Sequence, residues 1–487
     1  MMTSAPNEIL WTSEEAEMAT GGKASGPWEA MDVSIDSRTL VPGDLFIAVK
    51  GPNFDGHEFS AAAIAAGASA VVIDHDPGDL ENEGPVLRVA DTMQALCDLG
   101  VSARRRTSAR IIAVTGSVGK TGSKEALKFV LSRQAKTCAN KGSLNNHWGL
   151  PLSLSRLPEQ AIFGVFEMGM NHPGEITPLS LMARPHVVLI TNVEAVHSAQ
   201  FDSVEAIAAA KAEIFSGVEP GGVAVLNRDN EHFYQLSEAA RKQGIDRIIS
   251  FGVSEDADFR LAEETLDTEG SSVILDINGQ IISYRLGVVG HHWVMNSLGV
   301  LAAVAAAGGN VSEAARAFGD ITAPKGRGRV HRIAVSGHPF TLIDESYNAS
   351  PVSMNAAFEV LGQALTGPGG RRIAVLGDML ELGPNSAERH AGLAGSLERN
   401  GIDLVFTAGS DMAHLRDAIA PGMRGGHAEN TEILLRTVMP AIRSGDVVMV
   451  KGSLGSRTGL IVGALLAESE NSDANHPARS ADIRKEV

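Results

Sequence analysis

Apolar and polar residues alternate along the chain in three successive patterns. Short apolar runs at residues 45–49 and 70–73, on either side of an alanine-rich stretch at 60–66, predict a small α/β unit in the first hundred residues. A polar, basic stretch at 104–110 then leads into Ile111-Ile112-Ala113-Val114, a continuous apolar run of the kind shown by a strand buried on both faces, and a first domain boundary is expected there. Beyond it, strand-like runs at 162–166, 187–190 and 223–226 alternate with helical ones such as 204–215, which predicts a mostly parallel sheet covered by helices. Period-two alternation at 272–277 and 281–286 predicts an antiparallel addition to that sheet. The stretch 294–307 is interrupted by Asn296, Ser297 and Gly299 and is too short to span a bilayer, so it is expected to be a buried helix. After Pro324-Lys325-Gly326-Arg327-Gly328 the pattern restarts at 340–343, 373–376, 404–407 and 447–450, which predicts a third domain. The fold class is therefore α/β, with expected domains at 1–107, 108–322 and 323–468. Residues 469–487, which are polar, aperiodic and contain Pro477, are expected to form a disordered tail.

Length agrees with this division, since 487 residues exceed what one core holds. A formal charge of -17 argues against a general binder of nucleic acid or anionic membrane and leaves room for a local phosphate pocket. Cys97 and Cys138 are the only cysteines, which excludes a disulfide framework or thiolate metal cluster and fits a reducing compartment. With Glu8, Glu14, Glu15 and Glu17 near the start, no secretory signal is expected.

The sharpest chemical signal is Thr115-Gly116-Ser117-Val118-Gly119-Lys120-Thr121-Gly122, set between the buried strand and a helical stretch at 124–131. Such a loop points backbone N–H groups at phosphate oxygens; Lys120 would neutralise them and the Thr121 hydroxyl would reach Mg²⁺. The general phosphate-loop pattern requires glycine where Val114 stands, so this is a shortened form. Glu167 falls at the end of a predicted strand, where ligands bind in open parallel sheets. Alone it reads first as a solvated strand-end acid. His197 likewise reads as a ligand or as structural. Lys211 lies in an apolar helical run whose one other charge is Glu213. It either snorkels to solvent or, desolvated, becomes a neutral amine able to react with CO₂ and form a metal-binding carbamate.

With these residues in this order, the chain resembles the Mur ligase family over roughly residues 10–465. The loop from Thr115 to Gly122 is similar to the family's ATP loop, and Glu167, His197 and Lys211 match its metal-binding Glu, metal-binding His and carbamylated Lys. The resemblance implies a central P-loop parallel-sheet ATPase domain between an N-terminal UDP-sugar domain and a Rossmann-like C-terminal domain. It also implies ATP, two Mg²⁺ ions, and catalytic roles for Lys120, Glu167, His197 and Lys211. In Gly290-His291-His292-Trp293-Val294-Met295-Asn296, Gly290, His292 and Asn296 match the family's adenine-side segment, while Trp293 replaces a frequent Asn. Gly326-Arg327 implies that Arg327 contacts the nucleotide phosphates once the domains close.

Three longer strings resemble the branch of the family that joins D-alanyl-D-alanine to UDP-MurNAc-tripeptide. They are Leu144-Asn145-Asn146-His147-Trp148-Gly149-Leu150-Pro151, with His147 in place of a frequent acid, Asp344-Glu345-Ser346-Tyr347-Asn348-Ala349-Ser350-Pro351, and Leu376-Gly377-Asp378-Met379-Leu380-Glu381-Leu382-Gly383. The resemblance implies substrate contacts at Asn145, Asn146, Asp344, Tyr347, Asn348 and Lys451, the last within Lys451-Gly452-Ser453. Ser37 and Arg38 of Asp36-Ser37-Arg38, with Asp55-Gly56-His57, resemble the UDP-sugar domain. The implied enzyme is a cytoplasmic, monomeric carbon–nitrogen ligase of peptidoglycan precursor synthesis, working through an acyl phosphate, without nucleic-acid binding or membrane insertion. Two alternatives stand beside it: a Mur-type ligase for another amino acid, and a P-loop nucleotide switch without ligase chemistry.

Overall fold

The computed structural model describes residues 8–51, 54–76, 78, 80–195, 200–335 and 338–474. Its three large sheets follow one another along the chain. The first has five strands in the order Lys23–Ala24, Val86–Arg88, Ala70–Ile73, Asp44–Ile47 and Asp32–Ser34, parallel except at the Lys23–Ala24 edge.

The second sheet has nine strands, in the order Gln280–Leu286, Ser271–Ile277, Phe259–Leu266, Arg247–Gly252, Val223–Asn227, Val187–Ile190, Arg110–Thr115, Phe163–Glu167 and Thr137–Ala139. The strands from Phe259–Leu266 to Thr137–Ala139 pair in parallel, and the two at the far edge are antiparallel. Ile111, Ile112, Ala113 and Val114 are fully buried, because helices cover both faces of this strand, as its unbroken apolar run requires. Val114 needs no glycine's freedom: it pairs in register with Glu167 and Leu189, and the chain leaves the sheet only after Thr115. The helix His291–Ala306 is the buried one expected near 294–307. No helix among the described residues is long and apolar enough to cross a membrane.

The third sheet runs Arg329–Val335, His338–Glu345, Val447–Lys451, Arg372–Gly377, Leu404–Ala408 and Arg424–Ala428, with only the first pair antiparallel.

Two expectations change. The basic stretch at 104–110, read as polar, begins inside a helix and is partly buried. Arg104 to Arg106 form the last turn of the helix Thr92–Arg106, and buried Arg104 donates to the carbonyls of Ala183 (2.7 Å) and Arg184 (2.8 Å). Those carbonyls end the helix Ile176–Ala183, where a cation is favoured. The other change is at the C-terminus, where the helix Gly459–Ala474 runs past residue 469, the expected start of a tail. Its earlier part packs Ile461, Val462 and Leu465 into the core beside Phe340 and Val448, so packing carries a turn that composition alone disfavours. Residues 475–487 lie outside the described residues.

The first unit is sewn to the second. Fully buried Trp11 donates its indole N–H to Ser155 O (2.8 Å), and the Arg106 guanidinium lies 4.0 Å over the same ring.

Candidate active site

The phosphate loop owes its shape to the neighbouring strand end. Thr191 donates its hydroxyl to Val118 O (2.6 Å), the Ser117 N–H donates to Asn192 O (2.8 Å), and Ser117 Oγ accepts from Glu194 N (2.9 Å). So close an approach excludes a side chain: a Cβ on Gly116, at φ +151°, would stand 2.0 Å from Thr191 Oγ1. Gly119, at φ +84°, starts the helix Lys120–Ser132, and a Cβ there would meet Asn296 Oδ1 at 2.7 Å. Lys120 curls back over the loop and donates to the Gly116 and Ser117 carbonyls at 2.6 and 3.3 Å. Burial lowers its pKa, Arg327 adds to the effect and Glu167 opposes it; an anionic phosphate would reverse that balance.

Glu167, 1% exposed, ends its strand beside the loop. One carboxylate oxygen accepts from Thr121 Oγ1 (2.8 Å) and the other from Asn145 Nδ2 (2.7 Å). Asn140 braces the same point, its Oδ1 accepting the Glu167 N–H (3.0 Å) and its Nδ2 donating to Leu144 O (2.8 Å). Fully buried Lys124 donates to Asn140 O and Gly142 O at 2.8 and 3.1 Å. A hydroxyl and a carboxylate beside a phosphate loop are the hard oxygen donors that suit Mg²⁺, so the residues present fit that ion.

Lys211 is 2% exposed in the helix Val204–Ala212. Its pKa falls well below the ordinary lysine value because burial disfavours the ammonium and Lys120 repels it. Glu213 does not relieve this, since its carboxylate accepts from the N–H groups of Gly174 (2.6 Å), Ile176 (3.1 Å) and Thr177 (3.1 Å), capping another helix. His197 lies outside the described residues.

A cleft of about 950 Å³ joins the loop to the C-terminal sheet. Loop residues Ser117 to Gly122, with Asn145, Glu167, His292 and Asn296, line one side; Arg327, Tyr347, Asn348 and Lys451 line the other. Arg327 lies 4.4 Å over the Tyr347 ring, and the Tyr347 hydroxyl is hydrogen-bonded to Ser143 of the central unit. Lys451, 2% exposed, bridges Glu345 (3.0 Å) and donates to Asn348 O (3.0 Å). Trp293 lines the cleft too, but it is buried with its ring against Gly122, where a Cβ would be 3.1 Å away. The ring thus backs the phosphate-loop helix. His292 Nδ1 is buried and has no hydrogen-bond partner among the described residues, and burial lowers the His292 pKa.

Comparison with known proteins agrees with this architecture. Three family models match in succession: "Mur ligase family, catalytic domain" over residues 31–108, "Mur ligase middle domain" over 114–304 and "Mur ligase, glutamate ligase domain" over 328–454. The chain is 32% identical over 456 residues to the UDP-N-acetylmuramoyl-tripeptide--D-alanyl-D-alanine ligase of Rickettsia prowazekii, covering 93% of this chain and 99% of that one. The chain belongs to the Mur ligase family. Another relative, the Escherichia coli ligase of the same name, is 32% identical over 89% of this chain and 93% of its own. MurF from Acinetobacter baumannii superposes with a TM-score of 0.81 at 30% identity, covering 95% of this chain and all of that one (100%). MurF from Thermotoga maritima in complex with ADP superposes at 0.74 and 25% identity, covering 91% and 98%. The fold is the three-domain Mur ligase fold.

Other residues that the family resemblance singled out lie elsewhere. Thr115 is buried behind the loop, its hydroxyl on Met168 O (2.9 Å). Arg38 is exposed and paired with Asp36 at 2.7 Å, next to half-buried Ser37. Asn146 lies just before the helix Gly149–Ser155, its Oδ1 accepting from Trp148 N (3.2 Å) and Gly149 N (3.0 Å). Asp344 is 1% exposed and shapes the turn before Tyr347, accepting from Gly326 N (2.9 Å) and Ser346 Oγ (2.6 Å). None of these lines the cleft. Glu345, Ser143, Asn140 and Lys124 were not anticipated, because their roles depend on partners 15 to 200 positions away, roughly, that no local pattern relates to them.

Proposed function

We propose that this chain joins D-alanyl-D-alanine to the tripeptide end of UDP-MurNAc-tripeptide, with ATP converted to ADP and phosphate, in peptidoglycan precursor synthesis in the cytoplasm, acting as a monomer. The observation that carries this is the single cleft in which the phosphate loop faces Tyr347, Asn348 and Lys451 across the boundary between central and C-terminal units. Such a cleft brings phosphate donor, carboxylate and amine together and can close over an intermediate that water would destroy.

A carboxylate is a poor electrophile, so its oxygen first attacks the γ-phosphorus and ADP leaves, giving an acyl phosphate. The amine of D-alanyl-D-alanine then attacks the acyl carbon and loses a proton, and phosphate departs from the tetrahedral intermediate. Lys120 offsets repulsion between the anionic reactants. Thr121 and Glu167 would hold one Mg²⁺ and His197 with carbamylated Lys211 a second; when bound, the ions neutralise charge on the phosphates. Arg327 adds charge from the C-terminal side. On this reading the three domains, placed at 1–107, 108–322 and 323–468, carry the UDP handle, ATP and the amine.

ADP release with UDP-MurNAc-tripeptide, measured with D-alanyl-D-alanine, L-lysine, D-alanine or no amine, tests the assignment. Release is expected with the dipeptide alone; equal release with L-lysine would indicate a different Mur-type ligase, and release without any amine a nucleotide switch.

A further inference from the structure

Four titratable side chains cluster at the end of the strand Ala70–Ile73 in the N-terminal unit, and none of them lines the nucleotide cleft. His57, 2% exposed, sits in the turn Gly56–Phe59, and its Nδ1 is 2.6 Å from Asp55 Oδ1. The Asp74 N–H donates to His57 Nε2 at 3.2 Å. An Nε2 that accepts the Asp74 N–H presents a lone pair, which puts the ring hydrogen on Nδ1, facing Asp55. Toward that lone pair comes Asp74 Oδ1, 3.3 Å from His57 Nε2 and 2.6 Å from His75 Nδ1. The His75 ring stacks on the His57 ring at 3.9 Å, and candidate ligand atoms of Asp55, His57 and His75 all lie within 4.8 Å of one another.

We propose that His57 Nε2, Asp74 Oδ1 and His75 Nδ1 form a binding site for a divalent first-row transition ion such as Zn²⁺, Co²⁺ or Ni²⁺, with Asp55 orienting His57. A metal-bound imidazole donates its other ring N–H to a carboxylate, which is the arrangement of Asp55 and His57. The 3.3 Å between His57 Nε2 and Asp74 Oδ1 is close to the roughly 3.4 Å between two ligands of a tetrahedral ion with bonds near 2.1 Å. The 2.6 Å between Asp74 Oδ1 and His75 Nδ1, by contrast, is a hydrogen bond that must open as the exposed His75 ring turns off its stack to meet the ion. The ion takes the lone pair now shared with the Asp74 N–H, and His75 moves its ring hydrogen from Nδ1 to Nε2. Two imidazoles and one carboxylate favour these ions over Mg²⁺, which prefers an all-oxygen shell. Asp74 and His75 are 28% and 55% exposed, so an ion can enter from solvent and solvent can complete the shell. Bound there, the ion ties the 55–57 turn to the end of a central strand of the first sheet and stabilises that unit.

The test uses the full, untagged chain dialysed against Co²⁺ or Zn²⁺ in excess Mg²⁺, with bound metal measured by atomic absorption and Co²⁺ also by its visible spectrum. One equivalent is expected in the wild type and in Glu167→Gln, with binding weakened at least about tenfold in His75→Ala and Asp74→Asn. Zn²⁺ should raise the melting temperature of the wild type and leave that of His75→Ala unchanged. Retention of the equivalent by both His75→Ala and Asp74→Asn would overturn the site, as would a wild type that binds only the ion lost in Glu167→Gln. Both substituted residues are partly exposed, and circular dichroism checks that the variants are folded.

Discussion

The Thr121 hydroxyl and the Asn145 amide each donate to one oxygen of Glu167, at 2.8 and 2.7 Å. A residue of the phosphate loop and one from a segment 24 positions further on, as the numbering shows, therefore converge on a single buried acid. Glu167→Gln keeps one acceptor and turns the other atom into an NH₂ that faces a donor. Its kcat for ADP release is expected to fall by about 10²–10³-fold, with a higher Mg²⁺ requirement, because a charge that neutralises the phosphate site is lost. A variant with wild-type kcat and unchanged Mg²⁺ dependence would remove Glu167 from the proposed metal site.

Lys120 contacts only main-chain oxygens of its own loop among the described hydrogen bonds. Lys120→Ala should therefore leave the melting temperature within a few degrees of wild type while lowering kcat/KM for ATP by roughly 10²-fold or more. Product formation at the wild-type rate would defeat the phosphate-loop assignment.

Burial and the nearby Lys120 keep Lys211 well below its ordinary pKa, which favours the neutral amine that CO₂ requires. Lys211→Ala should be nearly inactive and regain activity when acetate or formate supplies the missing carboxylate. Full activity without rescue would eliminate the carbamate. The acid lability of carbamates makes this kinetic rescue a better measure than mass spectrometry.

His186 gives stability a pH dependence independent of catalysis. Its Nδ1 accepts the Ile111 N–H at 2.9 Å, and burial, with Arg110 and Arg104 nearby, pushes its pKa down to about 4. The folded chain thus stays neutral at this site, while the unfolded chain takes up a proton as pH falls through about 6.5. The contribution is complete above pH 6.5 and is lost progressively toward pH 4, to the extent of roughly 2–3 kcal/mol. Urea unfolding at pH 7 and pH 5 should show the loss. His186→Asn, whose amide oxygen can accept the same N–H without titrating, should flatten it.

What could be read before folding was what local patterning encodes. The strands Arg110–Thr115 and Val187–Ile190 lie where unbroken apolar runs place them, and Thr121 reaches Glu167 because both leave adjacent parallel strands at the same end. The strands Arg247–Gly252 and Arg424–Ala428 were not foreseen. The first begins with arginine, and the second carries two adjacent glycines and sits at the sheet edge, so neither shows a clean period. Lys124 was equally hidden. A lysine on an amphipathic helix reads as solvated, and only the Asn140 and Gly142 carbonyls explain its burial.

Closure between central and C-terminal units can be tested at Tyr347, whose hydroxyl bonds to Ser143 while its ring lies under Arg327. Ser143 follows directly on the Asn140–Gly142 segment held by Lys124, so the phenol meets a part of the central unit already fixed to the phosphate-loop helix. A neutral hydrogen bond of this kind contributes about 1 kcal/mol, or roughly fivefold in an equilibrium. Tyr347→Phe deletes the bond and keeps the ring for Arg327. It should raise the KM for D-alanyl-D-alanine by about that factor, with a smaller change for ATP, because the proposed mechanism completes the amine site where the units meet. Ser143→Ala should do the same, and the double variant should be no worse than either single one, since both remove one interaction. Additive effects in that cycle would show that the two hydroxyls act separately and that closure rests on the Arg327–Tyr347 contact alone.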